Sequence, residues 1–130
     1  MTDKREPVWL TVADVVAIHR EQLALFGGPD GIRDAGLLES AVNRPINRWL
    51  YEGSMLEQLA ASYAFGISRN HPFVDGNKRA SFAALMVFLR INGIRFSPPS
   101  PEGTAAMLAL AAGELDEMQL GQWISDRLGR

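Results

Sequence analysis

The chain of 130 residues has no cysteine, no long apolar run and no excess of positive charge. Without cysteine there is neither a disulfide framework nor a thiolate metal site, which fits a cytoplasmic setting. The formal net charge of −2 argues against a protein whose main partner is nucleic acid. The longest apolar stretch is about half of what a membrane-spanning helix needs. The polar opening Met1–Pro7 lacks the apolar segment of a secretion signal. Internal repeats, linkers and low-complexity tracts are also missing. What remains is ordinary: 47% apolar and 22% charged residues, in a chain long enough for one domain with a real core. These features predict a soluble cytoplasmic protein, a single domain over residues 1–130, with no membrane partner.

Periodicity and turn residues predict an all-α bundle of about six helices. Residues 1–7 are expected to be loosely attached, and Val8-Trp9-Leu10 reads as a short strand. Thr11, with Asp14 three residues on, reads as the cap of a first helix that stops at Gly27-Gly28-Pro29. Asp34 then caps a short second helix, Ala35 to Asn43. Arg44-Pro45 ends it, because the residue before proline is pushed out of the α region. Ile46 to Gly53 reads as a loop or small hairpin.

Ser54 with Glu57 is a capping box for a third helix. In that helix Leu56, Leu59, Ala60, Tyr63, Ala64 and Ile67 form an amphipathic stripe ending near Asn70. The fourth helix runs from about Asp75–Asn77 to Arg90 or Ile91 and is apolar on all sides, so it belongs at the centre of the bundle. Ile94-Arg95-Phe96 reads as a second short strand, placed to pair with residues 8–10. Ser100 with Pro101 opens a fifth helix that Gly113 ends, and Asp116 with Gln119 starts a last one through Leu128.

The chemistry is concentrated in nine residues, His71-Pro72-Phe73-Val74-Asp75-Gly76-Asn77-Lys78-Arg79, at the start of the fourth helix. A helix N-terminus carries about half a positive charge and unpaired N–H groups. Lys78 and Arg79 add cations there, each unfavourable by roughly 0.3–1 kcal/mol at an exposed site, which makes sense if an anion binds. Gly76 lets the backbone N–H groups approach a phosphate. Asn77 offers a neutral amide donor to a phosphate or to a helix-start carbonyl. Lys78 is a point charge, and Arg79 a fork for phosphate oxygens. Asp75 opposes a phosphate unless a divalent cation lies between, and one carboxylate plus phosphate oxygens is a usual Mg²⁺ arrangement. His71, of a type that titrates near neutral pH, is placed to accept a proton from a hydroxyl. Together these parts suggest transfer of part of a nucleotide to a hydroxyl, with the helix end and Arg79 stabilising the developing phosphate charge.

Plainer readings stand beside these. His71 could be a hydrogen-bonded loop residue, Asp75 a simple N-cap, and Lys78 and Arg79 a solvated face. His19, inside the first helix, reads as structural or exposed rather than functional.

The string resembles the Fic/Doc family signature, His-x-Phe-x-(Asp/Glu)-(Gly/Ala)-Asn-(Gly/Lys)-Arg, at every motif position. Gly27 to Glu39 and Phe88 to Gly93 are similar to its death-on-curing branch, so the resemblance runs from the first helix to about residue 96. It implies a compact all-helical domain whose loop–helix site uses ATP as co-substrate with Mg²⁺. In the Fic branch AMP is transferred to a protein hydroxyl. In the death-on-curing branch the toxin is a kinase that phosphorylates elongation factor Tu and halts translation. Carried over by position, His71 is the base, Phe73 anchors the motif in the core, and Asp75 is the metal ligand. Gly76, Asn77, Lys78 and Arg79 form the phosphate site. Arg44, Arg48, Trp49 and Tyr51 lie where the family has a target-docking flap, although a plain surface loop explains them as well.

Lys78 stands where the AMP-transferring pattern has Gly, and Phe82 where it has a second Arg. Both differences are similar to the kinase branch, whereas Gly76 is closer to the AMP transferases. The inhibitory pattern Ser/Thr-x-x-x-Glu-(Gly/Asn) is not met: Glu52-Gly53 follows Arg48, and Glu102-Gly103 follows Pro98. Restraint is therefore expected from a small antitoxin acting in trans. The expected function is phosphoryl transfer from a nucleoside triphosphate to a protein hydroxyl, a translation factor being the expected target. AMP transfer is the alternative, and an inactive nucleotide- or partner-binding scaffold a third.

Overall fold

In the computed structural model, residues 5–129 are described, so the expectation of a loosely attached start falls partly outside them. Six helices follow in order: α1 Val12–Phe26, α2 Ala35–Glu52, α3 Leu56–Asn70, α4 Asn77–Ile91, α5 Ser100–Ala111 and α6 Glu117–Arg127. The all-α expectation holds. The capping boxes Thr11/Asp14 and Asp116/Gln119 both form, each side chain satisfying a backbone donor of the other residue. None of the described helices is long and apolar enough to cross a membrane.

The core lies between α3 and α4. Helix α4 packs on α1, α3 and α5, while α3 packs on α2, α4, α5 and α6. The stripe read from the sequence is there: Leu59, Ala60, Tyr63, Ala64 and Ile67 of α3 are fully buried, and they meet Ala84, Leu85, Phe88 and Leu89 of α4. Tyr63 and Phe88 rings lie 5.0 Å apart. Central position is thus shared between α3 and α4, the first being enclosed on more sides.

Three local expectations are corrected. The second helix does not stop before Pro45 but runs on to Glu52, with Gly53 as a left-handed C-cap. Leu38, Ala41, Val42 and Pro45 continue one buried stripe, and burying it outweighs the roughly 3 kcal/mol penalty of an interior proline. The Ala41 carbonyl, four residues before Pro45, lies over Gly66 of α3: a Cβ built on Gly66 would be 3.4 Å from it and 3.1 Å from the Ala41 Cα.

The Ser54/Glu57 box does not form. Met55 is the N-cap without a side-chain bond, Ser54 turns to Glu52 at 3.3 Å, and Glu57 is buried facing Ser125.

Nor do residues 8–10 and 94–96 form strands. Val8 instead receives its partner from a side chain: Asn92 Oδ1 accepts from its N–H at 2.8 Å and Asn92 Nδ2 donates to its carbonyl at 3.0 Å. Leu10 is held likewise by the Tyr63 hydroxyl, at 2.9 Å from its N–H and 3.3 Å from its carbonyl. A smaller shift concerns α5, which is capped at Pro99 rather than Ser100.

Residues 46–53, read as a loop or hairpin, are thus helical, and this decides the fate of the flap residues. Arg48 bonds the Gln58 carbonyl at 3.1 Å and Ser62 Oγ at 2.7 Å. Trp49 packs against the core with its ring 6.0 Å from that of Trp9. Arg44 grips Glu117 of α6 at 2.8 and 3.0 Å. Of the four, Tyr51 is the most exposed, at 87%, with no side-chain hydrogen bond or ion pair among the described residues.

Two consequences are testable. Gly66→Val would wedge α2 from α3, and overpacking of this kind costs about 1–3 kcal/mol; an unchanged urea midpoint would show that the helices can separate freely. Burial pushes the Glu117 carboxyl up, but bonds from Arg44 and Ser62 and the charges of Arg44 and Arg48 outweigh it and hold it below its ordinary value. A carboxyl depressed in the folded state adds stability above the ordinary carboxylate range, and that contribution is lost as pH falls through the folded value. Urea midpoints measured on acidification should fall in that window, and less steeply in Glu117→Gln.

Candidate functional site

The nine-residue string spans the loop from the end of α3 into the first turn of α4. Its entry is an uncommon turn. His71 is the C-cap of α3 in the left-handed region, φ 47°, the one described non-glycine residue there, a region few L-residues enter, with Asn, Asp and His the most frequent among them. Arg33, from the α1–α2 loop, steadies this turn by donating from Nε to the His71 carbonyl at 2.6 Å and from Nη2 to that of Asn70 at 2.7 Å. The same loop pairs with the string along its backbone. Arg33 and Asp34 N–H groups reach the Pro72 carbonyl, and the Val74 N–H reaches that of Gly31, making an antiparallel bridge between Ile32 and Phe73.

Phe73 is buried, as the resemblance implies for the motif anchor. Its ring lies flat on His19 of α1, centroids 3.7 Å apart and planes 4° from parallel. His19 is itself 1% exposed, and its Nε2 lies 2.7 Å from the Asp75 carbonyl, to which it donates. Sequence reading set this residue aside. Its one signal was a polar ring inside an amphipathic helix, which does not show what it meets.

Asn77 ties the loop to itself. Its Oδ1 accepts from the Phe73 N–H at 3.1 Å and its Nδ2 donates to the Phe73 carbonyl at 3.0 Å. Those bonds fix the orientation of the amide, so an N–H also faces His71 Nδ1 at 3.3 Å; in this arrangement the neutral imidazole carries its hydrogen on Nε2. Of the two uses read for this amide, a phosphate and a carbonyl at the helix start, it takes a backbone carbonyl, that of Phe73, along with the His71 ring, and Asn77 is 7% exposed.

Helix α4 then opens with Gly76 at φ 78° and no side-chain cap. Asp75 is therefore not a side-chain N-cap. The first backbone N–H of this turn with a backbone acceptor is that of Ala80, on the Gly76 carbonyl. Those of Gly76, Asn77, Lys78 and Arg79 have no acceptor among the described residues. The Asp75 carbonyl, just before this turn, accepts from His19.

These groups border a cavity of about 420 Å³ lined by His71, Val74, Asp75, Gly76, Asn77, Lys78 and Arg79. Lys78, Arg79 and Asp75 are exposed and form no ion pair among the described residues. Arg79 lies over the Phe26 ring at 4.8 Å. The Asp75 carboxylate lies against Gly28, where an added Cβ would come within 2.9 Å of Oδ2. Phe82, one turn into α4, faces away to α5, its ring filling the space beside Gly103. The cavity thus combines an imidazole, unclaimed N–H groups, two cations and one carboxylate, the makings of an anion site beside a proton acceptor.

If His19 holds the mouth of α4 open, His19→Phe keeps the stack but strands the Asp75 carbonyl. The expected cost is about 1–3 kcal/mol by urea denaturation, with faster amide exchange at Ala80, and His19→Gln recovering part of it. Identical stability and exchange in the Phe variant would refute the role.

Comparison with known proteins agrees with this geometry. The Fic/DOC family matches residues 9–89. A protein named "Protein kinase doc" from Escherichia phage P1 is 32% identical over 103 residues, 78% of this chain and 81% of its own. A "Toxin Doc" from Mycolicibacterium smegmatis (strain ATCC 700084 / mc(2)155) is 43% identical over 75 residues, 55% of this chain and 57% of its own. With its motif string on the loop and first turn between α3 and α4, the chain belongs to the Fic/DOC family.

Proposed function

We propose that this protein is a toxin that transfers the γ-phosphoryl group of a nucleoside triphosphate to a Ser or Thr hydroxyl of a protein. One observation carries the reading: four backbone N–H groups without an acceptor and two cations without an ion pair among the described residues, Lys78 and Arg79, border the cavity that His71 also lines. N–H groups at a helix start bind phosphate oxygens and are aimed before the reaction begins, so they stabilise charge developing on the phosphoryl group without reorganising.

His71 takes the proton of the acceptor hydroxyl, whose oxygen bonds to the γ-phosphorus. The bond to the bridging oxygen breaks, and the nucleoside diphosphate leaves with that electron pair. Accepting at Nε2 requires the tautomer with hydrogen on Nδ1, which gives up the 3.3 Å contact of Nδ1 with the Asn77 amide. Asp75 is the carboxylate that would hold a Mg²⁺ ion brought in with the nucleotide, an ion that neutralises phosphate charge. A single exposed carboxylate fits that use, since phosphate oxygens and water supply the remaining ligands.

Two features support phosphoryl over AMP transfer. Lys78 lines the cavity, and Phe82, where the AMP-transferring pattern has a second guanidinium, is packed on α5. The relative named a protein kinase supports the same choice. Gly76 favours AMP transfer as the second reading. The target proposed is a translation factor, elongation factor Tu first, and the partner a small antitoxin that blocks the site in trans.

Incubation with bacterial extract and Mg²⁺-ATP labelled at the α or the γ phosphate separates these. Label entering protein from γ alone is expected; label from α would establish AMP transfer instead, and binding without transfer a scaffold. His71→Ala should lower transfer at least about 10²-fold, the low end for a general base, with an unchanged melting temperature.

A further inference from the structure

His71 lines a second cavity as well as the first. This one, about 300 Å³, is bordered by Phe65, Ser68 and Arg69 of α3 and by Leu110 and Ala111 at the end of α5. We propose that it docks the acceptor segment of the substrate protein and selects one with an acidic residue close to the modified hydroxyl. The proposal rests on the reading of His71 as the base for that hydroxyl.

A general base must lie within hydrogen-bond reach of the proton it removes. If the triphosphate fills the first cavity, the acceptor has to border His71 from elsewhere, and the second cavity does so. Its volume is at the small end of the range for ligand pockets, about 300–1,000 Å³, which suits one or two side chains better than a whole nucleotide.

The lining identifies the occupant. Arg69 is exposed, and no carboxylate lies within ion-pair distance of it among the described residues. Among the described residues no acidic side chain lines the cavity. Arg44 approaches the same aromatic ring, Phe65, but is already paired with Glu117. The uncommitted charge of the pocket is therefore cationic, and a carboxylate complements it. Leu110, Ala111 and Phe65 supply the apolar wall for the rest of the segment. A nucleobase fits less well, since the Arg44 and Arg69 guanidiniums, 4.7 and 5.6 Å from the Phe65 centroid, already crowd the ring on which it would stack.

The test uses the full chain with [γ-³²P]ATP and the extract protein that the unsubstituted enzyme labels. Arg69→Glu sets like charges together, and Ala111→Trp fills the cavity; both positions are exposed. Each variant should raise KM for the protein acceptor about tenfold or more. Affinity for a fluorescent ATP analogue should stay within about twofold and melting temperature unchanged. The mapped site should carry Asp or Glu near the modified residue, and Lys at that acidic position should restore labelling by Arg69→Glu. Wild-type acceptor KM in both variants overturns the docking site alone. Loss of ATP affinity in step with labelling overturns it in favour of a nucleotide pocket, as does a mapped site without a nearby acid in favour of unselective docking. Failure of the unsubstituted protein to label anything overturns the function and the docking site together.

Discussion

The hydrogen bond from His19 to the Asp75 carbonyl joins α1 to the mouth of α4, and the rest of the site depends on it. A helix start normally draws in whatever acceptor lies nearby. Here the carbonyl of Asp75 is held by a buried imidazole, and the amide of Asn77 is spent on Phe73 and the His71 ring. The donors of Gly76 to Arg79, like those at any helix start, have no intrahelical partner, and with no side-chain cap among the described residues they remain unclaimed beside the cavity. The flat contact between His19 and Phe73 ties this arrangement to the core, so the loop cannot shift without opening buried surface.

A second restraint acts on His71. A non-glycine residue in the left-handed region costs roughly 1–2 kcal/mol, and His71 stays there because Arg33 satisfies its carbonyl and that of Asn70. Arg33 belongs to the α1–α2 loop, which also pairs with Pro72 and Val74. The stretch Gly27 to Arg33 thus acts as a brace for the motif loop. Its glycines bring that brace close: Gly28 leaves room for the Asp75 carboxylate, and Gly31 for Val74. Lys78 and Arg79 sit without an ion pair among the described residues on an already positive helix end, an arrangement tolerable because the buried face of α4, from Ala80 to Leu89, supplies far more than they cost.

Membership of the Fic/DOC family places the chain among transferases, while the side chains around the motif differ in what they contribute. Phe82 shows this most directly. In this chain its ring fills the gap beside Gly103 of α5 and does not line the cavity. Arg48 and Trp49 carry the opposite lesson. Their types suit a docking surface, yet Arg48 is spent on Ser62, Gln58 and Glu117 and Trp49 on the core.

The sequence by itself determined the helical class, the caps at Thr11, Asp34 and Asp116, the stripe on α3 and the place of the motif at the start of α4. Each is written in local chemistry: capping side chains bond within three residues, and a 3.6-residue stripe needs no partner to be seen. Pro45 was misleading because its local preference is real but weaker than the burial of the stripe that continues past it. Only the tertiary structure decided that α2 runs to Glu52, that Asn92 and Tyr63 take the place of strand partners, and that His19 and Arg33 hold the motif loop. Those contacts join residues 38 to 84 positions apart. They depend on which faces meet when the helices pack, which no local pattern records.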